Sequence, residues 1–110
     1  MAKRYPVRFT RRASRDLDDI AAYIAENHSA EAAGRLIAQV KEAVKALGPY
    51  PDRGAVPKEL DRLGVREFRQ LVLSPYRISY EAGEYGVNVL LIVDGRRDLA
   101  PLLKLRLLGR

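Results

Sequence analysis

Few side chains in this sequence can do chemistry, and most of them are cations. Among 110 residues there is no cysteine, so thiolate catalysis, disulfides and cysteine-held metals are excluded. The one histidine, His28, sits between two helical patterns and reads as a surface or capping residue. Lysine and arginine number 20 against 14 acids, a net charge of +6. Guanidinium groups grip phosphates and carboxylates but stay protonated, which makes arginine a poor general base. Six tyrosines are present. Tyr23 lies beside an apolar helical stripe and reads as packing. Tyr76 and Tyr80 alternate toward a core, and Tyr5, Tyr50 and Tyr85 fall near turns, so none is nominated as catalytic.

The placement of charge is more informative than its sum. Lys3, Arg4, Arg8, Arg11, Arg12 and Arg15 crowd the beginning with no acid among them, and Arg96, Arg97, Lys104, Arg106 and Arg110 crowd the end. Should the two ends meet in space, they form one basic patch, suited to nucleic acid or to an acidic protein partner. No apolar run approaches the roughly 20 residues of a membrane span. The basic start has no apolar stretch of the kind that directs secretion, and a cytoplasmic location is expected.

The elements that must position these cations follow from periodicity. Val7 and Phe9 alternate with Arg8 as a half-buried strand within 5–10. Thr10 is placed to cap a helix whose apolar stripe is Ala13, Leu17, Ile20 and Ile24, with Asp16, Asp18 and Asp19 near its positive end. That helix fades at Asn27–His28. Ser29 caps a second helix with Ala33, Leu36, Ile37, Val40, Val44 and Leu47 on one face, and Gly48 reads as its C-terminal cap ahead of Pro49 and Pro51. So short a connection makes the pair an antiparallel hairpin.

Residues 49–65 read as a loop with a helical turn near 59–63. Strands are expected at 66–73, 76–82 and 87–93, turned by Ser74-Pro75 and by Gly83 to Gly86. The last of them is almost wholly apolar, as a central strand covered on both faces should be. The leucine-rich segment 98–109 reads as a short apolar helix or an irregular tail. Hydrophobic residues make up 47% of the chain, enough for a core at this length, and residues 1–110 are expected to form a single domain. The expected fold class is α+β: an N-terminal strand, an antiparallel two-helix hairpin packed on a mainly antiparallel four-stranded sheet, and a short C-terminal apolar helix or tail.

This order carries landmarks that span nearly the whole chain: Phe9-Thr10, Ala13, Asp16-Leu17, Ile20 and Tyr23-Ile24-Ala25, then Arg66-Glu67-Phe68-Arg69-Gln70-Leu71, Pro75-Tyr76-Arg77-Ile78-Ser79-Tyr80, Val89-Leu90 and Asp94-Gly95-Arg96-Arg97-Asp98-Leu99. In this sequence of motifs the chain resembles the RelE/ParE toxins of type II toxin–antitoxin systems. The resemblance implies a toxin neutralised by a cognate antitoxin in a hetero-oligomer, with either DNA gyrase or the ribosome and its messenger RNA as target, and with no cofactor, no metal and no membrane.

By the same resemblance Arg77 and Arg97 match the two family arginines, and they would be the catalytic residues if the chain cleaved RNA. Arg69, read as outward-facing, and Arg96 would complete an anion-binding cluster. The alternative for Arg77 is an ion pair with an acid such as Glu67 or Glu81 across the sheet. Metal-free RNA cleavage also needs a group that moves a proton. RelE-like nucleases often carry a tyrosine or histidine in the tail, whereas no Tyr or His follows Tyr85 here. The Asp94–Asp98 turn resembles that of ParE-type members. The reading therefore leans toward a ParE-like inhibitor of gyrase, with a ribosome-dependent endoribonuclease or a non-toxic basic interaction module as alternatives. Leu99, Leu102, Leu103 and Leu105 either receive the antitoxin or finish the chain's own core.

Overall fold

The computed structural model describes residues 4–96 and 98–109. Strand β1 (Val7–Phe9) leads into helices α1 (Arg11–Asn27) and α2 (Ala30–Lys45), followed by the one-turn helix α3 (Lys58–Asp61). Strands β2 (Phe68–Leu73), β3 (Tyr76–Gly83) and β4 (Gly86–Asp94) follow, and helix α4 (Ala100–Leu103) continues into a π-helical turn at Lys104–Leu108. The sheet order is β1-β4-β3-β2, with β2, β3 and β4 antiparallel and β1 parallel to β4.

Local signals set both helices. Thr10 Oγ1 accepts from the Ala13 amide at 3.1 Å and Ser29 Oγ from the Ala32 amide at 3.0 Å, so each hydroxyl satisfies an otherwise orphaned donor of a first turn. His28 ends α1, its own amide donating to the Ile24 carbonyl at 2.8 Å. Ala13, Leu17, Leu36, Val40, Val44 and Leu47 bury the hairpin's shared face against Ile78, Tyr80, Val87, Val89 and Ile92.

Three local expectations need correction. Gly48 does not cap α2: the helix ends at Ala46 in ordinary helical conformation. Gly48 is small because the chain start passes over it; its carbonyl accepts from the Tyr5 amide at 2.9 Å, and a Cβ there would lie 3.2 Å from the Tyr5 carbonyl oxygen. No acid lies in the first turn of α1, and Asp16 serves as an ion-pair partner instead. Tyr23, read as packing, is 64% exposed.

Strand β4 carries both cores. Val87 and Val89 face the helix hairpin, while Leu90, Leu91 and Val93 face the other way. The pairing register shifts between Ser79 and Tyr80, which are opposite Leu91 and Val89 respectively. Such a bulge resets the two-residue alternation. It returns Ile92 to the hairpin side and leaves two adjacent leucines on the far side. There Leu60 of α3, Phe68 of β2 and the tail leucines Leu99, Leu103 and Leu107 form a second buried cluster. The sheet is thus covered on both faces, which explains why β4 is almost wholly apolar.

The tail is also held by charge. Beyond Val89 strand β4 has no β1 neighbour. Asp16 of α1 fills part of that edge, its Oδ2 accepting from the Ile92 amide at 3.1 Å. Arg106 of the tail completes it, donating to both oxygens of Asp16 at 3.1 and 2.8 Å and to the Leu90 carbonyl at 3.1 Å. No helix among the described residues is long and apolar enough to cross a membrane.

Candidate functional site: an arginine groove closed by a carboxylate

Two-residue alternation decides which cations can meet. Phe68, Gln70 and Val72 of β2 stand opposite Glu81, Ser79 and Arg77 of β3. Phe68 belongs to the tail-side cluster, so this whole row, including Arg77, lies on the tail face of the sheet. Leu71 packs toward the hairpin. Arg69, two residues away, shares the Leu71 face and stands opposite Tyr80. The sequence-based placement of Arg69 with Arg77 therefore fails on parity, for residues at i and i+2 share a face and the two arginines lie on opposite ones.

Arg69 is engaged elsewhere. Its Nη1 donates to the carbonyls of Gly54 at 2.7 Å and Asp52 at 3.3 Å, and Nε lies 3.7 Å from the Asp52 carboxylate. Together with Tyr80 it pins the loop of residues 49–55 to the sheet. The buried Tyr80 hydroxyl donates to the Pro51 carbonyl at 2.7 Å and accepts from the Gly54 amide at 2.9 Å. Burial pushes the Tyr80 pKa upward, against the opposing effects of the Gly54 hydrogen bond and of Arg69. That leaves a phenol with both hydrogen-bonding roles taken and its proton held, unsuited to catalysis. Tyr80→Phe is expected to cost about 1–3 kcal/mol by stranding the Pro51 carbonyl and Gly54 amide, measured as a lower denaturant midpoint with unchanged slope.

Arg77 lies in a groove lined by Lys58, Gln70, Val72, Ser74, Pro75, Gly95 and Arg96. Gly95 makes room for it, since a Cβ there would come within 2.7 Å of the arginine shaft. The partner of Arg77 is neither Glu67 nor Glu81 but Glu59 of α3. Nη1 and Nη2 each donate to one Glu59 oxygen at 2.7 Å, and Nε donates to Gln70 Oε1 at 2.7 Å. The pair is well sheltered, with side-chain exposures of 13% and 10%. Sequence reasoning missed Glu59 because α3 reaches the groove through an irregular loop rather than across the sheet. Its faint signal was the helical turn expected near 59–63.

The arginine sets the acidity of Glu59. The hydrogen bonds from Arg77 outweigh the cost of burial and, with Lys58 adding attraction, lower its pKa from the ordinary 4.5 to about 2. A depressed carboxylate stabilises the fold above its unfolded pKa and loses that contribution as pH falls through the folded value. The contribution is roughly 2–3 kcal/mol after allowance for the open side of the groove. Denaturation midpoints should therefore hold above about pH 5 and fall between about 4.5 and 2. In Glu59→Gln the share of that decline owed to Glu59 should disappear.

The other nominated residues are placed as follows. Arg96 lines the same groove as Arg77 but is exposed and chelates its neighbour Asp94, which raises its pKa further. Arg97 lies outside the described residues, as does Lys3. Leu99 and Leu103 are each 1% exposed in the second cluster, so the tail's surface for a partner does not include them. Leu102 is half-buried, whereas Leu105 is 64% and Leu108 44% exposed. Of the terminal cations, Arg4, Arg8, Arg11, Arg12 and Arg15 are exposed, while Arg106 turns inward to Asp16. Among the described residues no group of three or more His, Cys, Asp or Glu is placed to hold a metal.

The same architecture occurs in known proteins. The structure of the chromosomal ParDE toxin–antitoxin system from P. aeruginosa contains a chain that superposes with a TM-score of 0.68 at 23% identity, covering 82% of this chain and 95% of that one. A chain of the toxin–antitoxin complex RelBE2 from Mycobacterium tuberculosis superposes with a TM-score of 0.56 at 24% identity, covering 86% and 94%. These two likenesses establish the fold. In sequence, the protein named "Putative toxin Y4kP" from Sinorhizobium fredii is 40% identical over 79 residues, 66% of this chain and 75% of that protein. The family described as the ParE toxin of the type II toxin–antitoxin system parDE matches residues 7–99. The β-αα-βββ order, the doubly covered sheet and this match agree, and the chain belongs to the ParE family of toxins, within the RelE/ParE fold.

Proposed function

We propose that this protein arrests growth by acting on a protein target of the DNA gyrase kind, not by cutting RNA, and that a cognate antitoxin holds it inactive in a hetero-oligomer in the cytoplasm. The observation that carries the reading is the state of Arg77. RNA cleavage without a metal asks the groove to hold a phosphate and to move a proton. Here each nitrogen of the central arginine donates to Glu59 or Gln70, and the carboxylate already occupies the fork that would grip a phosphate. Among the described residues that line the groove there is no tyrosine or histidine, and Arg96 cannot act as a base. The match to the parDE toxin family and the likeness to a chain of a ParDE system support the same choice.

An antitoxin is the partner expected for this family, and the exposed arginines of β1 and α1 offer an acidic segment a fast electrostatic approach. The apolar contacts of such a segment fall to the exposed Leu105 and Leu108 and the half-buried Leu102, not to the buried leucines. The test is expression of the chain without its neighbouring gene. Growth arrest with intact messenger RNA, together with DNA cleavage complexes trapped on gyrase, supports the reading. Codon-dependent cuts in translated messages would overturn it in favour of a ribosome-dependent endoribonuclease, and unimpaired growth would favour a non-toxic interaction module.

A further inference from the structure

We infer that Glu59 is a built-in occupant of an oxyanion site, the residue that keeps nucleic-acid phosphates out of the groove around Arg77. This rests on the reading of the groove given above and names the residue responsible for it. The carboxylate takes both terminal nitrogens of Arg77 in parallel, the same fork-to-fork arrangement in which a guanidinium grips two phosphate oxygens. Two further cations, Lys58 and Arg96, line the groove together with Ser74. With Glu59 ionised, one negative charge already sits against Arg77 in this groove.

The carboxylate is fixed in place. Leu60, the next residue, is fully buried in the tail-side cluster. The amides of Leu60 and Asp61 donate to the Pro57 carbonyl at 3.0 and 2.9 Å, and the Val65 amide closes back on the Leu60 carbonyl at 3.0 Å. Leu60 therefore anchors α3 on the sheet, with Glu59 directed at the arginine. A phosphate entering the groove must displace an acceptor that is already desolvated and bidentate, and it must tolerate the like charge beside it.

The substitution Glu59→Gln keeps the shape and removes the charge. The purified full chain is titrated with inorganic phosphate by calorimetry, and with a labelled single-stranded RNA by anisotropy to separate free phosphate from backbone phosphodiester. Glu59→Gln is expected to bind both at least about tenfold more tightly than the wild type, and adding Arg77→Gln should abolish the gain. Glu84→Gln, the same change of charge on the turn at the other end of the sheet, should produce none. In the wild type, the Arg77 Nε NMR resonance should stay unmoved at tens of millimolar phosphate, a measurement that needs no variant to fold. The inference is overturned if Glu59→Gln binds phosphate no better than wild type, if Glu84→Gln gains as much, if the gain survives loss of Arg77, or if the wild-type Arg77 resonance shifts. A shifting wild-type Arg77 resonance would also remove the observation behind the proposed function, whereas the three variant outcomes overturn this inference alone; the growth and messenger RNA assays test the proposed function by itself.

Discussion

Arg106→Ala is expected to destabilise the fold by about 3–5 kcal/mol, a lowering of the melting temperature by about 10 °C or more. Its guanidinium is 9% exposed and donates to Asp16 and to the Leu90 carbonyl, and Asp16 in turn receives the Ile92 amide. Removing the arginine leaves a poorly solvated carboxylate against the edge of β4 and strands a strand carbonyl. Both costs belong to groups left behind, and that asymmetry makes breaking such a pair more damaging than never having had it. Asp16→Ala should cost a similar amount, because it orphans the arginine and the Ile92 amide. The double variant should lose less than the two single losses combined. Additive losses in a double-mutant cycle would show that the two side chains act independently.

The second large effect distinguishes two uses of the leucine-rich tail. Leu103→Ala is expected to cost about 2–5 kcal/mol, because a residue 1% exposed between Leu60, Leu91 and Leu99 leaves a cavity that the sheet cannot collapse to fill. Leu105→Ala, at a position 64% exposed, should change stability by less than about 0.5 kcal/mol. Chemical denaturation of the isolated protein reads both. If antitoxin binding uses the tail as proposed, Leu105→Ala should weaken the complex while leaving the free protein intact.

How much of this was legible depends on how local each signal is. Thr10 and Ser29 announce their helices through side chains that bond to amides three residues on, and both caps are present. The almost complete apolarity of β4 announced two covered faces, and both clusters exist. What covers the second face was not legible. The tail leucines offered the same residue types to a partner and to the core, and only the tertiary position of β4 assigns Leu99 and Leu103 to the core. The bulge opposite Tyr80 left no mark in an unbroken run of Val, Leu and Ile. Glu59 was hidden for another reason. An ion pair formed through an irregular loop has no period, so nothing in the spacing of residues 59 and 77 singles it out from Glu67 or Glu81. The Arg69 error had no such excuse, because alternation from Leu71 already put it on the hairpin side.

The pairing of the first strand sets the timing of assembly. Val7 finds its register partner at Val87, eighty positions further on, and the helix hairpin rests on the same late strand. A chain made from its N-terminus therefore spends most of its synthesis with both helices lacking the surface they cover. Only when β4 and the tail have left the ribosome can the sheet close and Arg106 reach Asp16. A copy that stops before β4 therefore lacks the surface on which its first strand and both helices pack.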